Sequence, residues 1–185
     1  MARTPSNMLP LGTPLPRFEL LDPRTGRKVS SDSLDRRRGT LVMIICNHCP
    51  YVIHVLSQIT AIGKESVDRG LAVVAISAND VEAYPDDAPD KMAALAEREG
   101  WTFPYLYDET QEVARAFDAA CTPEFYLFDG NDRLVYRGQM DDSRPQNDVP
   151  VTGRDLRAAI DALLDGRPID PEQKPSLGCN IKWRS

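Results

Sequence analysis

Apolar positions along the chain follow two periods that alternate. "TLVMIIC" (40–46) and "LAVVAISAN" (71–79) are continuous apolar runs, which is typical of strands buried on both faces of a sheet. Between them, apolar residues recur at helical spacing. They are Val52, Val55, Leu56, Ile59 and Ile62. The pattern predicts a helix from Cys49 to Asp68, ended by Gly70, and therefore a parallel βαβ unit.

The rest of the chain adds shorter elements of both kinds. Helical patterns cover "PDKMAALAEREG" (89–100), "ETQEVARAFD" (109–118) and "VTGRDLRAAIDALLDG" (151–166). Strand patterns cover "FPYLYD" (103–108), "PEFYLFD" (123–129) and "RLVYRG" (133–138), and the last two predict a hairpin. "RFELLD" (17–22) and "RKVS" (27–30) predict an N-terminal hairpin. The order predicts a three-layer α/β fold, with a central mixed sheet flanked by helices.

The chain of 185 residues has the length of one domain with terminal extensions. We expect an irregular, proline-rich segment over 1–16, the domain over 17–166, and an irregular tail over 167–185. The apolar Ile181 and Trp183 indicate that this tail packs on the domain. The acidic stretch "DVEAYPDDAPD" (80–90) reads as a solvated loop.

Composition narrows the range of functions. The chain is 42% hydrophobic and 27% charged, which is typical of a soluble globular protein. Its formal charge of −6 gives no general attraction to nucleic acid or to an anionic membrane. No run approaches the ~18 apolar residues of a membrane span, and the start has no apolar signal core. We expect a cytoplasmic protein, either a monomer or a weak homodimer.

Four cysteines carry the candidate chemistry: Cys46, Cys49, Cys121 and Cys179. In a reducing compartment, such cysteines favour catalysis or metal binding over a disulfide scaffold. Cys46 ends a predicted buried strand and Cys49 begins a helix, at the sheet edge where sites form in α/β proteins. The helix N-terminus favours an anion, so we expect the pKa of the Cys46 thiol to fall below ~8.5. A thiolate is the nucleophile of disulfide exchange.

The neighbours of the two cysteines fit this interpretation. Asn47 and His48 separate them, and a protonated His48 would further stabilise a thiolate. Pro50 lies in the first helical turn, where its missing N–H costs little. Zinc would need two further ligands. Cys121 and Cys179 are single and distant, and neither histidine has a partner at zinc-finger spacing, so we predict no metal and no cofactor.

The combination of strand, C-x-x-C, helix and the later "CTPEFYLFD" resembles the thioredoxin superfamily. "GTPLPRFELLD" and "VYRGQMDD" are similar to its peroxiredoxin-like branch, the alkyl hydroperoxide reductase/thiol-specific antioxidant type, over about residues 10–184. The resemblance implies a cis-proline at Thr122–Pro123 that faces the dithiol and lets a substrate peptide pair with the preceding backbone.

The chain departs from both family patterns. If Cys49 takes the peroxidatic position of P-x-x-x-T-x-x-C, Val42 replaces the proline and Cys46 replaces the threonine whose hydroxyl activates peroxide. The buried aspartate and the tryptophan of thioredoxin are replaced by Thr40 and Ile45. Proton transfer must therefore differ, through His48 or water.

The other two cysteines leave alternatives open. Cys121 precedes Pro123 by two residues and is a candidate third redox thiol, a substrate contact or a small packed residue. Cys179 either packs against the domain or, docked near the dithiol, resolves a sulfenic acid on Cys46 or Cys49.

We therefore carry three hypotheses. The first is a thiol–disulfide oxidoreductase in which Cys46 attacks, Cys49 resolves, and Thr122 with Pro123 orients the substrate. Its partners would be a disulfide-bearing protein or small-thiol substrate and a separate electron donor. The second is a thiol peroxidase that reduces hydroperoxides. The third is a non-catalytic redox-sensing or metal-binding module.

Overall fold

The computed structural model describes residues 3–185, which contain two β-sheets. The ten strands are β1 (Arg3–Pro5), β2 (Glu19–Asp22), β3 (Arg27–Ser30), β4 (Thr40–Ile44), β5 (Ala72–Ser77), β6 (Tyr105–Tyr107), β7 (Cys121–Thr122), β8 (Glu124–Phe128), β9 (Leu134–Gly138) and β10 (Leu177–Asn180). Seven of them form the central mixed sheet, in the order β3-β2-β6-β5-β4-β8-β9. The remaining three form a small antiparallel sheet, in the order β1-β10-β7.

Four helices cover the central sheet: α1 (Pro50–Asp68), α2 (Pro89–Arg98), α3 (Glu112–Ala116) and α4 (Arg154–Leu164). Successive side chains of a strand point to opposite faces. Leu41 and Met43 of β4 belong to the core beneath α1, α2 and α4, whereas Val42 and Ile44 belong to the core beneath α3 and the segment before β2. The predicted three-layer α/β architecture is confirmed. Within residues 3–185, no helix is both long and apolar enough to cross a bilayer.

The pairing of the central strands brings the candidate site together. β4 pairs in parallel with β5, as the predicted βαβ unit requires, and antiparallel with β8. The end of β4 therefore lies beside the start of β8, where Ile44 is opposite Glu124. Cys46 follows β4 and Thr122 with Pro123 precedes β8, so residues distant in sequence meet at this edge.

The ends of the chain differ from the prediction. The tail predicted as irregular contains β10, which lies between β1 and β7. The N-terminal segment predicted as irregular contains β1, although its residues 1–2 lie outside the described part. Short strands such as "LGCN" and "RTP" show no alternation of apolar and polar residues, and their pairing with each other is long-range. The helix predicted over 109–118 is also shorter, Glu112–Ala116.

Candidate active site

The two cysteines of the C-x-x-C motif lie between β4 and α1. The Ile45 N–H donates to the Ile76 carbonyl at 2.9 Å, which extends the β4–β5 pairing almost to Cys46. Cys49 is the N-cap residue of α1, and Pro50 is the first helical residue, a position where no intrahelical N–H is needed. Both side chains are buried, with exposed fractions of 1% for Cys46 and 0% for Cys49.

The two thiols share a hydrogen bond, and this contact separates their acidities. A hydrogen bond from Cys46 is the largest cause that lowers the pKa of Cys49, to about 4; smaller contributions come from the Cys179 thiol, the Thr122 side chain and the Val52 amide, against burial. The same hydrogen bond raises the pKa of Cys46 well above its usual value, together with burial and the Asp87 carboxylate. The contact therefore lowers the pKa of Cys49 and raises that of Cys46, whereas the helix N-terminus leads the sequence analysis to expect the lowered pKa at Cys46.

A buried carboxylate holds the residues between the cysteines. Asp87 Oδ1 accepts hydrogen bonds from the backbone N–H groups of Asn47 (2.7 Å) and His48 (3.2 Å). Asp87 Oδ2 accepts from His48 Nδ1 at 2.6 Å and from Asn79 Nδ2 at 2.8 Å. The His48 ring also stacks on Tyr84, with centroids 5.3 Å apart. The carboxylate thus orients the His48 ring through Nδ1.

Asp87 is the functional residue that the sequence reasoning missed. It lies in the stretch predicted as a solvated loop, yet its side chain is fully buried in a 3₁₀ turn, Pro85–Asp87. The donors that permit its burial come from Asn47, His48 and Asn79. Two of these lie far from Asp87 in the sequence, so no local pattern could have identified it.

Asn47 fixes the same loop from the other side. Its Oδ1 accepts a hydrogen bond from the Tyr105 hydroxyl at 3.0 Å, and its Nδ2 donates to the Asp86 carbonyl at 3.0 Å. These contacts tie the loop between Cys46 and Cys49 to β6 and to the 3₁₀ turn. Asn47 therefore supports the geometry of the dithiol.

Cys46, His48 and Asp87 carry sulfur, nitrogen and oxygen atoms of the kinds that bind metal ions in proteins. The Cys46 sulfur, a His48 ring nitrogen and an Asp87 oxygen lie within 4.8 Å of one another. Each oxygen of Asp87 already accepts two hydrogen bonds. A metal ion bound to this carboxylate would therefore displace donors that hold the loop between the two cysteines.

Thr122 faces the dithiol, and the peptide bond between Thr122 and Pro123 is cis. The Thr122 hydroxyl lies 3.5 Å from the Cys46 sulfur. The Cys49 sulfur lies 3.4 Å from the Thr122 carbonyl oxygen, to which the protonated thiol can donate. One residue thus contacts both sulfurs.

Cys121 and Cys179 have different surroundings. The Cys121 thiol donates to Glu124 Oε2 at 3.9 Å, and the pKa of Cys121 is raised, chiefly by burial. Neighbouring residues of a strand point to opposite faces, so Cys121 and Thr122 point apart. Cys179 on β10 is paired with Thr122 and its thiol hydrogen-bonds Cys49; burial and this contact raise the pKa of Cys179 to about 12. The Cys179 thiol therefore contacts the dithiol directly, whereas the Cys121 thiol contacts Glu124 and interacts with Cys49 through its charge.

The family of the chain follows from a comparison with known proteins. Residues 11–137 match the model of the AhpC/TSA family. The chain belongs to the AhpC/TSA family. No curated protein sequence matches the chain significantly. Membership of this family supports an oxidoreductase function of the thioredoxin-like type.

Solved structures support the same assignment. An uncharacterized conserved protein from Geobacillus kaustophilus is 52% identical with a TM-score of 0.97, over 100% of this chain and 97% of that one. A hypothetical protein from Sinorhizobium meliloti is 43% identical with a TM-score of 0.95, over 98% of this chain and 99% of that one. A thiol:disulfide interchange protein of the thioredoxin family from Chlorobium tepidum is 18% identical with a TM-score of 0.62, over 84% and 99%. The last similarity confirms the thioredoxin-like fold, and with the family match it confirms the predicted superfamily and branch.

Proposed function

We propose that this protein is a thiol–disulfide oxidoreductase whose exchanging pair is Cys46 and Cys49. The observation that carries the proposal is the position of the two thiols between β4 and α1, where both contact Thr122, the residue before the cis-proline. The contact between the thiols lowers the pKa of Cys49 and raises that of Cys46. A thiolate is the attacking species in exchange, and a second thiol in contact with it can resolve the mixed disulfide.

The electrostatics favour Cys49 as the first nucleophile. Its thiolate attacks one sulfur of the substrate disulfide, the substrate S–S bond breaks, and one substrate thiolate leaves. Cys46 then loses its proton and attacks the Cys49 sulfur, which releases the second substrate thiolate and leaves a Cys46–Cys49 disulfide. The substrate has taken up two electrons from the protein. An external dithiol reductant must then supply two electrons to the Cys46–Cys49 disulfide to regenerate the thiols.

We infer that the His48–Asp87 pair receives the Cys46 proton. Asp87 holds the Nδ1 side of the His48 ring at 2.6 Å, and a ring nitrogen of His48 lies within 4.8 Å of the Cys46 sulfur. This pair would replace the buried aspartate that thioredoxins use and that Thr40 replaces in this chain. Disulfide-bearing proteins and small disulfides are the substrate classes we propose, in line with the name of the Chlorobium tepidum protein.

The test compares disulfide reduction in three single variants. We expect Cys46→Ser and Cys49→Ser to lose insulin reduction driven by dithiothreitol, while Cys121→Ser, whose thiol contacts Glu124 instead of the dithiol, retains it. Mapping of the oxidised wild-type protein should show a Cys46–Cys49 disulfide. Insulin reduction that survives in both Cys46→Ser and Cys49→Ser would refute the proposal.

A thiol peroxidase is the second candidate, and one contact favours it. Cys46 replaces the family threonine, but the Thr122 side chain contributes to the lowered pKa of Cys49 and thus brings a hydroxyl to the thiolate. A Cys49 thiolate that attacks a hydroperoxide would form a sulfenic acid and release an alcohol or water. Peroxide consumption by wild type and by Thr122→Val is assayed beside insulin reduction. If the protein is a peroxidase that activates peroxide through this hydroxyl, Thr122→Val should lose peroxide consumption by a larger factor than insulin reduction; an equal loss of both would argue against the peroxidase.

A further inference from the structure

Cys179 occupies a defined position against the dithiol. In the pairing of β10 with β7, Cys179 is opposite Thr122 and Asn180 is opposite Cys121. Side chains of directly opposite residues lie on the same face, so Cys179 shares the face of Thr122, whose hydroxyl lies near the Cys46 sulfur. Cys179 is 3% exposed, belongs to the same apolar cluster as Cys46 and Cys49, and hydrogen-bonds Cys49.

The strand that carries Cys179 is anchored on both sides of it. Before it, the Ser6 N–H donates to the Ser176 carbonyl at 2.9 Å. After it, the Ile181 N–H donates to the Ala120 carbonyl at 3.1 Å, and the Lys182 N–H donates to Asn79 Oδ1 at 2.9 Å. Cys179 is thus held against the dithiol by the backbone of the tail.

Gly178 allows the close approach of β10 to β7. A Cβ at this position would overlap the Thr122 carbonyl oxygen and lie 2.7 Å from its carbonyl carbon. Only a residue without a side chain leaves room for the two backbones at this distance. Gly178 therefore permits the close approach of the two strands, and the next residue, Cys179, carries the thiol that this approach brings to the dithiol.

We propose that Cys179 is a third redox thiol that exchanges with the Cys46–Cys49 disulfide. This inference rests on the proposed function, because that disulfide is its starting point. The Cys179 sulfur attacks the Cys49 sulfur, the Cys46–Cys49 bond breaks, and a Cys49–Cys179 bond forms. Cys46 leaves as a thiolate and takes up the proton that Cys179 gives up. The number of disulfides is unchanged, so the step needs no further oxidant or reductant.

The charges at the site favour this step only after oxidation of the dithiol. In the reduced protein, burial raises the pKa of Cys179, and the hydrogen bond and negative charge of Cys49 raise it further, while Lys182 lowers it. Oxidation removes the negative charge of Cys49. The pKa of Cys179 then falls, and the nearby Lys182 stabilises the thiolate that attacks.

The experiment maps disulfides at equilibrium. Wild type, Cys46→Ser, Cys179→Ser and Cys121→Ser are equilibrated with mixtures of reduced and oxidised dithiothreitol. Free thiols are then blocked with N-ethylmaleimide, and peptides are identified by mass. We expect a Cys49–Cys179 disulfide beside Cys46–Cys49 in wild type, Cys49–Cys179 as the main disulfide in Cys46→Ser, and an unchanged pattern in Cys121→Ser.

Three outcomes would overturn the proposal. The first is that wild type forms only the Cys46–Cys49 disulfide while Cys49 and Cys179 are both alkylated in Cys46→Ser. The proposed thiol–disulfide exchange by Cys46 and Cys49 would then still stand. The second is a pairing of Cys179 with Cys121. The third is a wild type with neither a Cys46–Cys49 disulfide nor insulin reduction, which would overturn the proposed function together with the exchange step. If Cys46→Ser does not fold, the wild-type map decides, because the two disulfides give different peptides.

Discussion

Glu124, the first residue of β8, makes the stability of this protein depend on pH in a way that one substitution can test. Its side chain is 1% exposed, and burial is the main cause that raises its pKa from 4.5 to about 7. When the pKa of a carboxyl group is higher in the folded protein than in the unfolded chain, protonation of that group increases the free energy of unfolding. Its contribution is therefore fully present below pH 4.5, the pKa of the unfolded chain, and is lost as the pH rises through 7.

The magnitude follows from the shift. The difference between about 7 and 4.5 corresponds to a loss of about 3 kcal/mol of folding free energy between these pH values. Glu124→Gln removes the ionisation and keeps an oxygen that can accept the hydrogen bond from the Ala120 N–H, which measures 3.1 Å. The variant should gain about 3 kcal/mol relative to wild type between pH 4.5 and pH 8.

The assay is urea unfolding of both proteins under reducing conditions at several pH values. Comparison of the two proteins cancels the contributions of Cys46, Cys49 and Cys179, and the raised pKa of Cys121 keeps the titration of that thiol outside this pH range. Glu97→Gln, on an exposed position of α2, is the matched control, and its free energy of unfolding should change with pH as that of wild type does. If the free energy of unfolding of Glu124→Gln also changes with pH as in wild type, the reasoning is refuted, because the buried carboxyl then does not titrate in this range.

The remaining predictions concern the site. The ultraviolet absorbance of a thiolate should persist in the reduced protein well below pH 9 and disappear in Cys49→Ser; full absorbance in that variant would place the thiolate elsewhere. Asp87→Asn replaces one of the two buried carboxylate oxygens by an N–H donor, so two of the four hydrogen bonds lose their acceptor and urea unfolding should show a loss of about 2 to 4 kcal/mol; wild-type stability would contradict this role. Gly178→Ala should accelerate amide hydrogen exchange in β10, because its Cβ would lie 2.7 Å from the Thr122 carbonyl carbon; unchanged exchange would show that the strands tolerate a side chain there.

The elements of the βαβ unit could be predicted because their signal is local. β4 and β5 are apolar on both faces, and α1 repeats its apolar residues every turn. The short strands at the ends of the chain have no such signal, since the pairing of β1 with β10 joins residues from opposite ends. Periodicity cannot detect a strand of three or four residues whose partner is distant.

The sequence by itself determined that two cysteines stand between a buried strand and a helix, with a Thr-Pro pair ahead of a later strand. The tertiary structure decided which groups surround the two sulfurs and shift their pKa values in opposite directions. Asp87 lies 39 residues after His48 and Thr122 lies 76 residues after Cys46, and only the fold brings them, with Cys179, around the pair. Acidity depends on the charges and hydrogen-bond donors within a few ångströms. These surroundings lower the pKa of Cys49, raise that of Cys46 and set Cys179 beside the pair.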